Sequence, residues 1–460
     1  MANPADLTAT DLLEAFASRA LSPVEVTCAV IARIEHAEPK LNALYAFNPD
    51  AALSAAHTSE QRWIDRTARA LEGVPVTIKE NIRSKGVAMP LGTAATVLVP
   101  AIDDAPPAAR LREAGAVLIA KTTMPDYGMT SSGLSSFHPL TRNPWDLTKN
   151  PGGSSAGAGA AAAAGYGPLH LGTDIGGSIR LPASWCGVFG LKPSFGRVPI
   201  DPSYFGRVAG PMTRTVRDAA LLMRELSKPD PRDGMSLPPQ AINWLAHGRD
   251  VKGLRLGLHT DAGTGLPVDP EVRKCIENAA RLFVSAGALV APMPPFFTRA
   301  MLDGMDCFFR QRAWLDLSAL PAERRNRVLP YIREWAEPAR DYTGAQVFDG
   351  VSQMLAMRQA AIAASAPFDF VLSPVAPVPA FAAAAASPVN DAQRPFEHIA
   401  FTLPYNMSEQ PSASINAGYS AGGLPIGLQI TGKRFDDLGV LQLAQAFEQM
   451  RGPQQPWPTF

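Results

Sequence analysis

The sequence predicts an α/β protein in which helices cover both faces of a β-sheet. Short apolar runs that are typical of buried strands lie at 74–79 (VPVTIK), 116–121 (AVLIAK) and 168–172 (PLHLG). The segments between them contain the helical stretches APPAARLREAG and AGAGAAAAAG. Strands that alternate with helices in this way favour a layered α/β/α sheet.

The flanking segments extend this pattern. Residues 5–70 are predicted to be helical, because Ser22 followed by Pro23 is an N-cap and N1 pattern and apolar residues then recur at helical spacing. Further along the chain we predict three more strands and two more helices. The strands are 254–259, 368–374 and 425–432, and the helices are 270–287 and 436–450.

No repeat and no clean linker divides the chain, so a single domain over residues 1–460 is expected. Within it we distinguish an N-terminal helical segment (1–70) and a core (71–225). The mostly helical stretch at about 295–366 is a candidate cap over a pocket. The segments 225–250 and 375–397 are rich in Pro, Ala and Asp and are predicted to be loops.

Composition excludes several classes of function. The 42 basic and 42 acidic residues cancel, which argues against a nucleic-acid or anionic-membrane partner. Four scattered cysteines and seven histidines form no CxxC, HxH or HExxH motif, so neither a metal nor another cofactor is expected. The chain shows no signal-peptide or membrane-spanning pattern. We therefore expect a soluble cytoplasmic protein, and the charge balance fits a neutral small-molecule substrate.

Two glycine–serine loops carry the candidate chemistry: PGGSSAG (151–157) and GTDIGGSIR (172–180). Gly176 and Gly177 allow the second loop to turn sharply and to direct several N–H groups at one point. Convergent N–H groups stabilise the oxyanion that forms when a carbonyl is attacked. Ser178 follows directly and is the candidate nucleophile.

A serine nucleophile needs a base. The nearest histidines, His138 and His170, have no matching aspartate pattern. Lys79 ends the apolar run VPVTIK, and burial there would favour its neutral form. A lysine that acts as a general base needs a pKa of roughly 7–8, against an ordinary value of about 10.4. Glu80 is expected to point to the opposite face of the strand.

These segments together resemble the amidase signature family. The resemblance rests on VPVTIKEN, on GGSSAGAGAAAAAG and on GTDIGGSIRLPASWCGVFGLKPS. KTTMPDYGM, GPMTRTVRDAA and GLPIGLQITG extend it in the same order over most of 70–225 and about 400–450. It implies the amidase signature fold, a large central mixed β-sheet covered by helices on both faces.

The resemblance also implies the roles of individual residues. Ser178 would be the nucleophile, Ser154, after a cis peptide bond, would relay protons, and Lys79 would be the base. The oxyanion donors would be the backbone N–H groups of the loop, and three residues would line the acyl pocket. The donors are Ile175, Gly176, Gly177 and Ser178, and the pocket residues are Tyr127, Met129 and Ser131. Many relatives have GGSSGG where this chain has Ala156, a difference that concerns local packing.

Simpler interpretations stay open for some of these residues. Ser155 fits the GxSxG nucleophile elbow, but the polar, proline-broken segment before it is not a strand of the kind that elbow needs. Asp174 and Arg180 would brace the nucleophile loop or form an ordinary structural ion pair. Read without the family, Tyr127 and Met129 are loop residues.

Three functions follow from the resemblance. The first is a stand-alone amidase that cleaves small aliphatic or aryl amides, or related carbamates, with a homodimer as a common assembly. The second is the glutamine-hydrolysing subunit of a tRNA-dependent amidotransferase. The third is a binding protein that kept the fold and lost its activity, which the presence of Lys79, Ser154 and Ser178 disfavours.

Overall fold

The computed structural model describes residues 3–246 and 248–460, and in them eleven strands form one mixed sheet. The order across the sheet is β1-β3-β2-β4-β6-β5-β10-β11-β9-β7-β8. The strands are β1 (Leu44–Tyr45), β2 (Pro75–Lys79), β3 (Val117–Thr122), β4 (Leu169–Asp174), β5 (Phe189–Lys192), β6 (Val208–Thr213), β7 (Arg255–Leu258), β8 (Leu289–Pro292), β9 (Phe370–Pro374), β10 (Ser412–Tyr419) and β11 (Pro425–Thr431).

Helices cover both faces of the sheet, as the sequence predicted. They are α1 (Ala9–Ser18), α2 (Pro23–Leu41), α3 (Pro49–Ile64), α4 (Pro106–Glu113), α5 (Ala156–Ala164), α6 (Arg180–Cys186), α7 (Val216–Leu226), α8 (Pro270–Ser285), α9 (Arg299–Ser318), α10 (Ala322–Arg325), α11 (Pro330–Ala336), α12 (Gly344–Ser365), α13 (Leu403–Met407) and α14 (Asp437–Met450). Short 3₁₀ turns add Pro4–Asp6, Asp126–Gly128 and Glu337–Asp341.

The three strands predicted first, β2, β3 and β4, are neighbours in the sheet and run parallel to one another. Their parallel pairing brings the carboxyl ends of β2 and β4 to the same edge. Lys79 ends β2 and Asp174 ends β4. The strand order therefore places the candidate base beside the loop of the candidate nucleophile.

Strands β1, β5, β6, β8 and β10 were not predicted from the sequence. β1 has only two residues, and β5 and β6 each contain a glycine, which weakens a strand pattern. All five gain their strand structure from neighbours in the sheet. β6, for example, pairs antiparallel with β4 over six positions.

The helix predictions hold with small changes in their ends, except that the predicted helical segment 5–70 is divided into α1, α2 and α3 and contains strand β1. Ser22 caps α2 through a capping box with Glu25, and Pro23 is the first helical residue. Every residue of α5 is buried. Gly157 in α5 lies against the backbone of Thr123, where a side chain would collide with it. The small residues of this helix thus let it pack closely against β3.

The region 295–366 is mostly helical, as expected, and α9 and α12 pack along each other. It forms a second apolar core with residues of the 375–407 region, separate from the main core around the sheet. No helix in the described part of the chain has the length and apolar character needed to cross a membrane.

Candidate active site

Lys79 lies wholly inside the protein, with 0% of its surface exposed. Its Nζ is within hydrogen-bond distance of three hydroxyl oxygens, at 2.8 Å from Ser154 Oγ, 3.1 Å from Ser155 Oγ and 3.0 Å from Thr173 Oγ1. The first two belong to the loop before α5 and the third to β4. The strand end, the loop and the neighbouring strand therefore meet at one amine.

Burial is the main reason why the pKa of Lys79 lies well below its ordinary value, and the positive charge of Arg207 lowers this pKa further. Asp174 and Glu80 act in the opposite direction. The Glu80 carboxylate is hydrogen-bonded to His138 Nε2 at 2.6 Å and makes no ion pair with Lys79 within the described residues. The surroundings therefore favour a neutral amine at Lys79.

The first glycine–serine loop is fixed by its contacts to the second. The Gly153–Ser154 peptide bond is cis, which the family resemblance implied. The N–H of Ser155 donates to the carbonyl of Ser178 at 3.1 Å. The Ser155 side chain is buried, donates to the Thr173 carbonyl at 3.1 Å and accepts from the Thr173 N–H at 3.2 Å. The buried Ser155 side chain thus holds the loop against the backbone of β4.

The second loop wraps around the carboxylate of Asp174. The N–H groups of Gly177 and Ile179 donate to it at 2.8 and 3.0 Å. Gly177 adopts a φ of 127°, which favours glycine. Because its N–H is engaged by Asp174, Gly177 is not a free oxyanion donor in this conformation, contrary to the expectation from the resemblance. In the part of the chain that the structure describes, we find no protein acceptor for the N–H groups of Ile175, Gly176 and Ser178.

Asp174 and Arg180 form a buried ion pair, with Oδ1–Nη2 and Oδ2–Nε distances of 2.9 and 3.0 Å. Burial by itself would raise the pKa of Asp174, but the charge and hydrogen bonds of Arg180, assisted by Asn406, hold this pKa well below its ordinary range. Arg180 also donates to the Thr402 carbonyl and to Gln429 Oε1. This network connects the nucleophile loop to α13 and β11.

A cavity of about 220 Å³ opens above Lys79. Ser154 and Ser178 both line it, as do Tyr127 and Met129. An adjoining cavity of about 60 Å³ is lined by Ile175, Gly176, Ser178 and Ser131 among others. The structure thus brings the predicted nucleophile, relay, loop and pocket residues to one place. Larger cavities lie elsewhere on the surface, away from these residues.

Sequence reasoning missed several polar residues of the cavity wall. Thr173 and Asn81 flank the lysine, and the Asn81 side-chain oxygen has no hydrogen-bond partner among residues 3–246 and 248–460. Arg207, Arg312 and Asp316 also line the cavity. The segment IKEN contains Asn81 and was available as a signal. Arg207, which precedes β6, and the two charged residues of α9 are distant in sequence, so no local pattern indicated them.

No group of three or more His, Cys, Asp or Glu residues is arranged as a metal site in the described ranges.

Known proteins resemble this chain over nearly its whole length. The Amidase family model matches residues 25–441. The chain is 35% identical to the A subunit of the glutamyl-tRNA(Gln) amidotransferase of Geobacter metallireducens, with 96% of this chain and 97% of the relative covered. A bacterial aryl acylamidase of the amidase signature family superposes with a TM-score of 0.89 at 30% identity and 96% coverage of both chains. The complex of 6-aminohexanoate cyclic dimer hydrolase with its substrate superposes with a TM-score of 0.87 at 26% identity and 98% coverage of both chains.

The fold is therefore that of the amidase signature enzymes, which are hydrolases of amides. The chain belongs to the amidase signature family. The resemblance seen in the sequence and the α/β fold with a large mixed sheet are both confirmed.

Proposed function

We propose that the chain hydrolyses the C–N bond of a small amide through an acyl-enzyme on Ser178, with Ser154 as proton relay and Lys79 as base. The observation that carries this proposal is the fully buried amine of Lys79, 2.8 Å from Ser154 Oγ and below a cavity that Ser154 and Ser178 both line. A buried lysine without a carboxylate partner is the environment that a lysine base needs.

Hydrogen-bond accounting supports the direction of proton transfer. A neutral amine has two N–H groups and one lone pair. The single hydroxyl hydrogen of Ser155 is donated to the Thr173 carbonyl, so Ser155 accepts from Lys79. Thr173 Oγ1 accepts from Asn81 Nδ2 and from Lys79. The lone pair of the Lys79 amine is therefore left to accept a hydrogen bond from the Ser154 hydroxyl, and it can take the proton of that hydroxyl.

The reaction follows from this arrangement. Ser178 Oγ attacks the substrate carbonyl as its proton passes to Ser154 and the proton of Ser154 passes to Lys79. The free N–H groups of Ile175, Gly176 and Ser178 are the proposed donors to the oxyanion. A proton returns along the same path to the leaving amine. Water then hydrolyses the acyl ester on Ser178, which releases the acid and frees the serine. Asp174 and Arg180 hold the loop in shape.

A fluorophosphonate probe, which labels activated serines, tests this proposal directly. We expect labelling of the native protein and no labelling of Ser178→Ala. Hydrolysis is then measured on a panel of aliphatic amides, anilides, carbamates, amino-acid amides and glutamine. A native protein that is neither labelled nor active on any member of the panel would contradict the proposal and favour a binding protein.

The second candidate is a glutamine-hydrolysing subunit of a tRNA-dependent amidotransferase. It is favoured by the 35% identity to one component of such an enzyme over nearly the whole of both chains. Copurification with sister subunits from the native source, and glutamine hydrolysis that depends on them, would support this function. A purified lone chain with good rates on simple amides would favour the stand-alone amidase. A homodimer and a cytoplasmic location stay predictions for either function.

A further inference from the structure

Two guanidinium groups line the cavity above Lys79, although the net charge of the chain is zero. Arg207 precedes β6 and Arg312 lies on α9, so two separate elements supply them. We propose that this cavity binds amide substrates that carry a carboxylate, which Arg207 and Arg312 hold. The inference rests on the proposed hydrolytic function of the same site and replaces the uncharged substrate expected from composition.

Neither arginine has a carboxylate partner among residues 3–246 and 248–460. Arg207 donates to two backbone carbonyls, of Pro202 at 2.7 Å and of Asn81 at 3.4 Å. Arg312 stacks on the Tyr204 ring, with 4.2 Å from the guanidinium carbon to the ring centroid. The ion pairs formed within the described residues include neither of them, and the nearby Asp201 is paired with Arg83 at 2.6 Å. Arginine is the side chain best suited to bidentate binding of a carboxylate.

The positive charges of Arg207 and Arg312 repel each other at the cavity wall. Burial lowers the pKa of Arg207 to about 10, and the charge of Arg312 contributes to this shift. An unpaired, partly desolvated cation is costly. A carboxylate bound between the two guanidinium groups would offset this repulsion and would replace the water that each group loses.

The acidic residues of the cavity wall, Asp174 and Asp316, do not cancel the positive charges of the two arginines. Asp174 is already paired with Arg180. Asp316 lies one turn after Arg312 on α9, and burial raises its pKa although Arg312 opposes this. The cavity wall therefore keeps a positive excess. The cavity has a volume of about 220 Å³, so it has room for a small ligand.

The test uses a matched pair of substrates, glutaramate and its methyl ester, which differ in one negative charge. We expect kcat/KM of the native protein to be at least about tenfold higher for glutaramate. In Arg312→Gln and Arg207→Gln this preference should fall about tenfold or more, mainly through KM. The matched control is Arg299→Gln on the same helix. Arg299 pairs with Glu397 and does not line this cavity, so the control should keep the preference.

A second measurement does not depend on turnover. Glutarate should slow labelling of Ser178 by an uncharged fluorophosphonate, its dimethyl ester should not, and Arg312→Gln should lose the protection. If the native protein is neither labelled nor active on any amide of the panel, the proposed hydrolytic function fails. If it is labelled, but glutarate gives no protection and glutaramate is no better than its ester, the function stands and the carboxylate site is refuted.

Discussion

The side-chain nitrogen of Lys79 lies 2.8 Å from the hydroxyl oxygen of Ser154, and the two residues are 75 positions apart in the chain. Their contact is possible because β2 ends beside the loop that leads into α5. Lys79 is closed off from water and has hydroxyl groups rather than carboxylates within hydrogen-bond distance. This one relationship determines most of what we expect from variants of the site.

Lys79→Met should lower turnover by several orders of magnitude while making the fold more stable. General base catalysis contributes about 10²–10⁴-fold, so a loss of that size or more is expected in kcat. The pKa of Lys79 is lowered on folding, so the unfolded chain binds a proton that the folded chain does not. Folding is therefore opposed at pH values below the ordinary lysine pKa, and methionine removes this cost.

Rates on a substrate from the panel and thermal unfolding at pH 7 check both parts of this prediction. Near-normal activity of Lys79→Met would remove lysine as the base. A clear drop in Tm would mean that the amine is charged and stabilising in the folded protein.

Arg207→Gln should move the acid limb of the pH–rate profile to higher pH. The positive charge of Arg207 lowers the pKa of Lys79, whereas Asp174 and Glu80 raise it. Without the arginine the base keeps its proton up to a higher pH. The measurement is kcat/KM against pH on a neutral amide. Arg299→Gln is the control, and its pH–rate profile should be unchanged. A shift towards lower pH, or none, would show that Arg207 does not act on the base.

Ser155→Ala should keep fluorophosphonate labelling, in contrast to Ser178→Ala. The Ser155 hydroxyl is buried and donates to the Thr173 carbonyl, so it does not face the cavity. Its loss leaves the N–H and carbonyl of Thr173 without this partner, at a cost of about 1–3 kcal/mol in unfolding free energy. Mass spectrometry of the labelled peptide identifies the modified serine. Labelling at Ser155 would instead support the nucleophile-elbow interpretation.

Asp174→Asn should destabilise the protein by about 3–5 kcal/mol, because it leaves Arg180 buried without its counter-charge. The matched control, Asp303→Asn, breaks an exposed pair with Arg299 and should change stability by less than about 1 kcal/mol. Denaturant unfolding measures both. Equal effects of the two variants would argue against a bracing role for the buried pair.

The same variant has an expected pH dependence. The pKa of Asp174 is lower in the folded chain than in the unfolded chain. The contribution of its carboxylate to folding stability is therefore fully present at pH values above the ordinary pKa of 3.8, and it is lost as the pH falls through the pKa of the folded state. The difference in stability between the native protein and Asp174→Asn should therefore be constant from about pH 5 to 8. It should shrink only in stronger acid.

Local patterns in the sequence were enough to predict the fold class and much of the proposed active site. The apolar runs of β2, β3 and β4 can be recognised as strands from the sequence, because a strand buried on both faces consists largely of apolar residues. The glycines of the second loop and the lysine at the end of β2 are likewise local signals. Short or glycine-containing strands such as β1 and β5 were missed, since sheet neighbours rather than their own composition make them strands.

What only the tertiary structure decided is the set of contacts between distant segments. The N–H of Gly177 donates to the Asp174 carboxylate, so Gly177 is not among the donors that we propose for the oxyanion. Arg207 and Arg312 are 105 positions apart, and a chain with no net charge still places both on one cavity wall. Net charge is a sum over the whole surface, whereas a substrate responds to the few groups within a Debye length of it. Folding alone determines which groups those are.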